Sequence, residues 1–397
     1  TASRGFAMPS GLRSSLPISR RGLLHAASSA LALWGLPSAA QPRSPGTDTT
    51  PIAVAQVVDM SPNLQDVGRD FLAGSQAAWQ SINAAGGLQG RPVRHLSVVT
   101  DGSAQGTRDA WLRIEATANC VVLSGCVGDA ATRTLTELQT KGPSGATLAQ
   151  VAPWVQAEDT HSASSAVFGI FPGYREQMAH ALSSLSSVGV REIGVAFAHA
   201  RQRDAAFPAV EQAAATLGLK LRSLPAPGQA PSSAERQAEQ NQAIVLFVGG
   251  TPELHAFAQR LPAQPGGHRY IITLADVNLQ VLGQMGGVPR HSSVIATQAV
   301  PLLTSSTGVV RAYRQALARY YDEPPSPQGL AGFVAARYTA AVLSGMRTGI
   351  TRASVLQAMR ERKDTDVDGF MVRCEGAERR SGYVTQTMLS ADGRLIG

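Results

Sequence analysis

The stretch "VVLSGCVGDAATRTLTEL", residues 121 to 138, holds the residue types best suited to chemistry in this chain. It reads as a short apolar strand, a glycine-flanked loop and the start of a polar helix. Gly128 lets backbone come close to whatever lies in front of it, and the N–H groups of Ala130 and Ala131 open the helix. Such a helix N-terminus favours an anion, by about 0.3–1 kcal/mol. Asp129 stands at the same mouth with the opposite preference, and the stretch runs on to the hydroxyl of Thr132. An aspartate here either attracts a cation or an amide, or takes the free N–H groups itself as a helix cap.

That is recognition chemistry, and bond-making leaves no comparable trace. The chain has no Gly-x-Ser-x-Gly elbow, no His-Glu-x-x-His and no Gly-x-x-x-x-Gly-Lys phosphate loop. No Cys/His pair sits in a local catalytic motif. A triad can be scattered along a chain, so an enzyme with a non-local active site stays as an alternative. Of the three cysteines, Cys120 and Cys126 lie at the two ends of the strand just quoted. Six extended residues cover roughly 20 Å, whereas a disulfide needs Cα atoms within about 7 Å, so these two should not bridge. Cys374 is left open to pair with either. No spacing fits a zinc or redox motif, and neither metal nor cofactor is expected.

The elements that must position such a loop alternate along the chain. Apolar runs read as buried strands at Ile52–Val58, Val93–Val99, Cys120–Ser124 and Ala146–Ala149, with helices over Asp70–Ala84, Gly106–Ala118 and Asp129–Lys141 between them. The series then restarts. Strands are expected at Ala166–Ile170, Glu192–Phe197, Leu219–Leu224, Ile244–Val248 and Tyr270–Leu274, and helices at Arg175–Val188, Asp204–Leu217, Pro252–Arg260 and Val277–Gly283. Continuous apolar strands alternating with helices imply parallel sheets covered on both faces. The expected fold class is therefore α/β, with two doubly wound parallel-sheet lobes in tandem. "PAPGQAPSS" and "LPAQPGG" punctuate the second series as loops. After a strand at Val294–Val300 come helices over Val309–Tyr321, Gln328–Thr348 and Arg352–Arg362, then an antiparallel end. Such a tail fits a chain that crosses back between lobes.

The bulk numbers agree with a globular chain of two domains: 397 residues, 44% hydrophobic and 16% charged. A formal charge of +7 looks basic, but Arg4, Arg13, Arg20 and Arg21 sit in the first 40 residues with no acid among them, which leaves +3 for the rest. That remainder, with an aromatic share of 5%, argues against nucleic acid as a partner. Residues 1–40 read as an export signal, with the twin arginines Arg20 and Arg21, an apolar run from Leu23 to Leu36, and Ser38-Ala39-Ala40 as the cleavage site. The mature chain would start near Gln41, with 41–50 as a loose leader. No later apolar stretch is long enough to span a bilayer, so the membrane should be met only through a partner.

"VGRDFLAGSQAAWQSINAAGGLQGRPV", residues 67 to 93, is the most specific segment. Its helix presents Phe71, Ala78 and Ile82 at helical spacing, Gly74 allows close approach of another backbone, and Asn83 with Gly86, Gly87 and Gly90 turns into the next strand. This resembles the amino-terminal segment of type I periplasmic binding proteins of the branched-chain amino-acid (leucine/isoleucine/valine) class. The resemblance continues through "PGYREQMA", "VVRAYRQALARYY", "GLAGFVAARYTAAVLSGMR" and "GFMVRCEG…SADGRL", in order, and covers nearly all of 51–397. It implies two lobes joined by a three-strand hinge, with crossovers near Phe168–Pro172, Ile295–Gln298 and Gly376–Tyr383. Lobe 1 would take 51–167 plus 298–375, and lobe 2 168–297 plus 376–397. It also implies a periplasmic, monomeric receptor that grips a small molecule between the lobes and delivers it to the permease domains of an ABC importer. A ligand-sensing subunit that reports to a membrane partner is the alternative.

Ligands of open α/β sheets sit at the carboxyl ends of the strands. The first lobe should offer Ser61 after its first strand, Asp129, Ala130 and Thr132 in the opening stretch, and Pro153 and Trp154 after its fourth strand. The second should offer Tyr174, His199, Thr251 and Asp276. Each has a plainer reading beside it: Asp129 as an N-cap, Asp276 as the cap of a helix from Val277, His199 as a solvated loop residue, Trp154 and Tyr174 as packing. Against the family pattern, Asp129 replaces a serine that helps hold a ligand carboxylate. Pro153-Trp154-Val155 replaces a Thr-Gly-Ala-like loop, "HARQRD" (199–204) lacks the expected acidic and Phe/Tyr-Gly pattern, and Ala331 replaces a glutamate. The expected ligand is therefore small and polar or amino-acid-like, with a cationic or amide group suited to Asp129 and an aromatic group suited to Trp154 and Tyr174.

Overall fold

The computed structural model describes residues 50–142, 147–157, 160, 166–187, 189–264, 267–374 and 381–397. The expected export signal and most of the leader lie outside the described residues.

The first lobe is built on β1 (Ile52–Asp59), an eight-residue strand buried along its whole length. Both faces are covered, which is why its sequence is apolar without alternation. β2 (Val93–Thr100) and β3 (Cys120–Ser124) flank it in parallel. β4 (Ala149–Val151) and β5 (Val167–Phe168) complete an all-parallel sheet in the order β2-β1-β3-β4-β5. The fourth strand thus lies beyond most of the 146–149 run expected for it, and residue 146 itself is outside the described residues. Helices α1 (Gln65–Ala84), α2 (Ala104–Glu115) and α3 (Asp129–Lys141) follow the first three strands.

The second lobe repeats the order. β6 (Glu192–Phe197), β7 (Lys220–Ser223), β8 (Ile244–Val248), β9 (Arg269–Thr273) and β10 (Ser292–Gln298) run parallel as β7-β6-β8-β9-β10. Its helices are α4 (Tyr174–Ser187), α5 (Ala200–Leu217), α6 (Ser233–Asn241), α7 (Thr251–Arg260) and α8 (Leu279–Gln284). α6 is a helix the hydrophobic pattern does not announce, since Glu239 is its one buried residue. A capping box between Ser232 and Glu235 holds its start. α8 begins two residues later than expected and is capped by Asn278, whose Oδ1 accepts from Gln280 N at 3.0 Å and Val281 N at 3.2 Å. Asp276 is therefore free of the capping role.

The chain then returns to the first lobe as α9 (Gly308–Tyr320), α10 (Pro327–Ser344) and α11 (Arg352–Arg360), followed by the hairpin β11 (Thr365–Val367) and β12 (Phe370–Val372). α10 is buried nearly all round and packs along α1. The helices meet backbone to backbone: a Cβ on Gly74 would stand 1.8 Å from the carbonyl oxygen of Gly329, and one on Gly332 1.9 Å from that of Phe71. Ser75 Oγ seals the seam with a 3.1 Å bond to the Gly332 carbonyl. Of the last strands, β13 (Thr385–Leu389) adds antiparallel to β10 in the second sheet, and β14 (Leu395–Ile396) pairs antiparallel with β13 at its edge.

The chain leaves the first sheet after Phe168 and enters α4 at Tyr174. β10 stays paired to β13 up to Gln298, and the chain then runs on to α9. The third passage runs between Val372 and Thr385, with 375–380 outside the described residues.

Candidate functional site

Both sheets reverse strand order between their first and third strands, so the loops after β1, β3, β6 and β8 open at the switch points of the two lobes. The loop after β3 is held by backbone. Val127 N donates to Val57 O at 2.9 Å, Trp154 N to Cys126 O at 2.7 Å and Gly128 N to Trp154 O at 3.0 Å. Gly128 has φ +105°, and a Cβ there would meet the Cβ of Asp59 at 3.0 Å. The close approach this glycine permits is thus to Asp59, not to an open face.

Asp129 is the first residue of α3 and makes no capping bond, Gly128 being the residue before the helix. Its carboxylate turns instead to the loop after β4. It accepts from Gln156 N at 3.2 Å, Ala157 N at 3.0 Å and Thr160 Oγ1 at 2.9 Å. The aspartate that reads in sequence as a helix cap is a clamp on a neighbouring loop. The reason is geometric: Pro153 and Trp154 carry that loop across the mouth of α3, where its N–H groups need an acceptor.

The clamped loop delivers Trp154 into the junction of the lobes. Its ring lies 5.7 Å from Phe71 and 5.2 Å from Phe171, and these two lie 6.2 Å apart. Trp154 Nε1 donates to Asp276 Oδ1 at 3.2 Å, and Gln156 Nε2 donates to the same oxygen at 3.2 Å. Gln177, on α4, then orders the far side. Its Nε2 donates to Gln156 Oε1 at 2.5 Å and Pro172 O at 3.1 Å, and its Oε1 accepts from Ala275 N at 3.0 Å and Thr297 Oγ1 at 2.7 Å. A continuous polar chain thus runs from Asp129 in the first lobe through Gln156 to Asp276 and Gln177 in the second.

A second set of bonds joins the lobes beside it. Thr251 Oγ1 donates to Asp66 Oδ2 at 2.5 Å and accepts from Asn278 N at 2.9 Å, while Asn278 Nδ2 donates to Asp70 Oδ2 at 2.8 Å. Gln328 Nε2, at the start of α10, reaches Ala275 O at 3.1 Å and Val277 O at 3.2 Å.

Burial sets the charge state of this junction. It pushes the Asp276 carboxyl up to about 7, with the neighbouring Asp129 adding to the rise and the Trp154 bond opposing it. Burial also raises Asp129 and Asp66, against the hydrogen bonds that each accepts. Tyr174, at the start of α4, is held well above its ordinary value by burial and by Asp276 and Asp129, so its hydroxyl keeps its proton. Asp276 is therefore partly protonated near neutrality, and the cleft, with its other carboxyls also raised, suits a group that brings hydrogen-bond donors or positive charge. Burial pushes the Cys126 thiol up to about 12 and raises Cys120, so neither presents a thiolate. All three cysteines are free. Among the described residues, no group of three His, Cys, Asp or Glu is placed to hold a metal ion.

Asp129, Trp154, Tyr174 and Asp276 thus come together, with Pro153 buried beside them and Thr251 in the adjoining clasp. The other expected residues lie apart from this network. Ser61 is bonded within its own loop, through its Oγ to Asn63 Oδ1 at 3.0 Å. Thr132 is buried in the first turn of α3, and its Oγ1 has no partner among the described residues. Ala130 is half-buried beside it, and His199 is exposed where α5 begins. Sequence reasoning did not find Gln156, Gln177, Asp66 and Asn278. Asp66 carried a signal, an acid just ahead of the expected helix, and α1 in fact starts at Gln65 and takes it into its first turn. The glutamines carried none, since their role is to satisfy partners brought in by other strands. A surface concavity of about 920 Å³ along α8 and the β13–β14 turn contains none of the cleft carboxylates.

The sequence profile of the periplasmic binding protein family matches residues 51–393. An extracellular ligand-binding receptor from Verminephrobacter eiseniae has a similar fold, with a TM-score of 0.75 at 18% identity over 87% of this chain and 100% of its own. A possible leucine/isoleucine/valine-binding protein from Rhodopirellula baltica gives 0.74 at 17% identity, over 88% and 97%. A fatty acid ABC transporter substrate-binding protein from Thermomonospora curvata gives 0.71 at 14%, over 89% and 92%. No functionally curated protein matches the chain.

Proposed function

The chain belongs to the periplasmic binding protein family, and from that premise we propose that it is a solute receptor which captures a small molecule between its lobes and passes it to the permease domains of an ABC importer. The observation that carries this reading is the meeting of Trp154 and Gln156 from one lobe with Asp276 from the other, at the carboxyl ends of the strands. The residues that would contact a solute are Asp276, Tyr174, Trp154 and Gln156, while Asp129 holds the loop that presents two of them. A cation or amide suits the raised carboxyls, and an apolar body suits the ring cluster of Phe71, Trp154 and Phe171. A carboxylate would find little here, because Pro153 has no N–H to donate. Its structural neighbours are described for ligands as different as branched-chain amino acids and fatty acids, so the pocket and not the fold must set the solute.

Entry requires the lobes to part and the Trp154–Asp276 bond to open, a hinge motion. In this reading the protein is exported through its twin-arginine segment, acts as a monomer in the periplasm and catalyses no reaction. The test is a fluorescence titration of the mature chain from Gln41 with L-leucine, L-glutamine, L-phenylalanine and putrescine, repeated on Trp154→Phe and Asp276→Asn. A saturable change that disappears in Trp154→Phe, with affinity at least tenfold weaker in Asp276→Asn, is expected for at least one ammonium- or amide-bearing solute. No saturation with any of the four, or equal affinity in Asp276→Asn, would overturn it.

A further inference from the structure

Resting on the receptor reading above, we propose that the indole of Trp154 is an internal occupant of the interlobe cleft. It sits where a solute would sit, holds the lobes closed when none is bound, and must leave before one can enter. A solute gripped between two lobes meets apolar walls, a polar partner on the far lobe and exclusion from water. The Trp154 side chain has each of these. Phe71 on α1 and Phe171 in the passage that leaves the first sheet stand 5.7 and 5.2 Å from it, which is direct ring contact. Its Nε1 crosses to the second lobe and donates to Asp276 Oδ1 at 3.2 Å. Trp154 is 3% exposed, and Phe71 and Phe171 are 0% and 2% exposed. Ala275, next to Asp276 in the second lobe, is buried in the same apolar cluster as the three rings. At this point the lobes pack on one another as the two sides of a core do.

The chain fills the seat itself for a reason local to one loop. Trp154 and Gln156 follow β4 on the same short segment, whose far end is clamped by Asp129. Both donate to the same Asp276 oxygen. A carboxyl buried against rings needs donors whether or not a solute is present, and this loop brings two. A solute must replace what it evicts: a flat apolar body for Phe71 and Phe171, and an N–H for Asp276. Once displaced, Trp154 stays on its clamped loop as a wall of the opened site. A receptor held shut by its own side chain binds more weakly than its open form, in proportion to the fraction that is open.

The test removes the occupant and returns it as a free molecule. In the full chain, Trp154→Ala should have a larger radius of gyration in solution scattering than the parent, and added indole should restore the parent's value. Calorimetric titration should give Trp154→Ala an affinity for indole about tenfold or more above that for 1-methylindole, which keeps the ring but has no N–H to donate. The parent should bind indole about tenfold or more weakly than Trp154→Ala does. Trp154→Leu, which fills part of the seat and donates nothing, serves if Trp154→Ala fails to fold, and it should also open the lobes. An unchanged radius in a folded variant, equal affinity for the two indoles, or equal indole binding by parent and variant would overturn the proposal. The receptor reading is tested apart from it. A parent that binds one of the four solutes while Trp154→Ala stays closed keeps the receptor and loses the internal occupant. Opening and indole rescue in Trp154→Ala, with no solute bound by the parent, do the reverse.

Discussion

At the scale of single residues, the junction depends on where two aspartates spend their hydrogen bonds. Asp129→Ala should strand the N–H groups of Gln156 and Ala157 and loosen the loop that carries Trp154, at about 1–3 kcal/mol for each group left buried and unpaired. Urea unfolding measures the loss, and Trp154 fluorescence should report the loop's release. Asp276 makes a prediction in pH. Its carboxyl keeps a proton in the folded chain up to about pH 7, whereas the unfolded chain releases it near the ordinary 3.8. Between those values the folded state binds more protons, so stability is fully present below about pH 4 and falls as pH rises towards 7. Asp129 and Asp66, also raised, act in the same direction, and the Tyr174 hydroxyl stays protonated throughout. Asp276→Asn keeps an acceptor for Trp154 and Gln156 but cannot titrate. Its melting temperature should therefore vary less over that range than that of the parent, and an unchanged profile would show that Asp276 does not titrate there.

At the scale of elements, the α1–α10 seam is tightly constrained, because the two helices meet backbone to backbone. Gly74→Ala places a methyl on the Gly329 carbonyl, and two backbones that meet this closely have no side chain to move aside. A loss of about 1–3 kcal/mol or more is expected in denaturant unfolding, with a shift in midpoint. Gly74→Ser should be worse. The contrasting element is α6, which is polar and depends on its capping box more than on burial. Ser232→Ala should cost about 1 kcal/mol locally and appear as faster amide exchange over 233–241, with little change in global stability.

At the scale of the whole molecule, three passages of the chain link the lobes, and the first lobe is finished only by helices that follow the second. A fragment of residues 50–173 would lack α10 and expose the face of α1 that carries Phe71 and Gly74. It should collapse without native packing, with poor amide dispersion in NMR and binding of an apolar dye. The interlobe clasp makes the companion prediction. Thr251→Val removes the donor to Asp66 and the acceptor for Asn278 N together. The lobes should then part more readily, giving a larger radius of gyration in solution scattering than the parent at the same pH.

The sequence by itself determined the alternation of strands and helices, the two lobes and the loops at their switch points, because both-face burial writes continuous apolar runs into each strand and one-face burial writes helical spacing into Phe71, Ala78 and Ile82. What it left undecided was who bonds to whom. Asp129 reaches 27 to 31 residues along the chain, and Trp154 meets Asp276 across 122. Periodicity records which side of an element is buried, and it carries no information on which distant donor arrives there. The bonds that Gln156 and Gln177 make and the start of α1 early enough to include Asp66 belong to the same class. Each is fixed by strand pairing or by contact between elements far apart in sequence, and the tertiary structure alone brings those elements together.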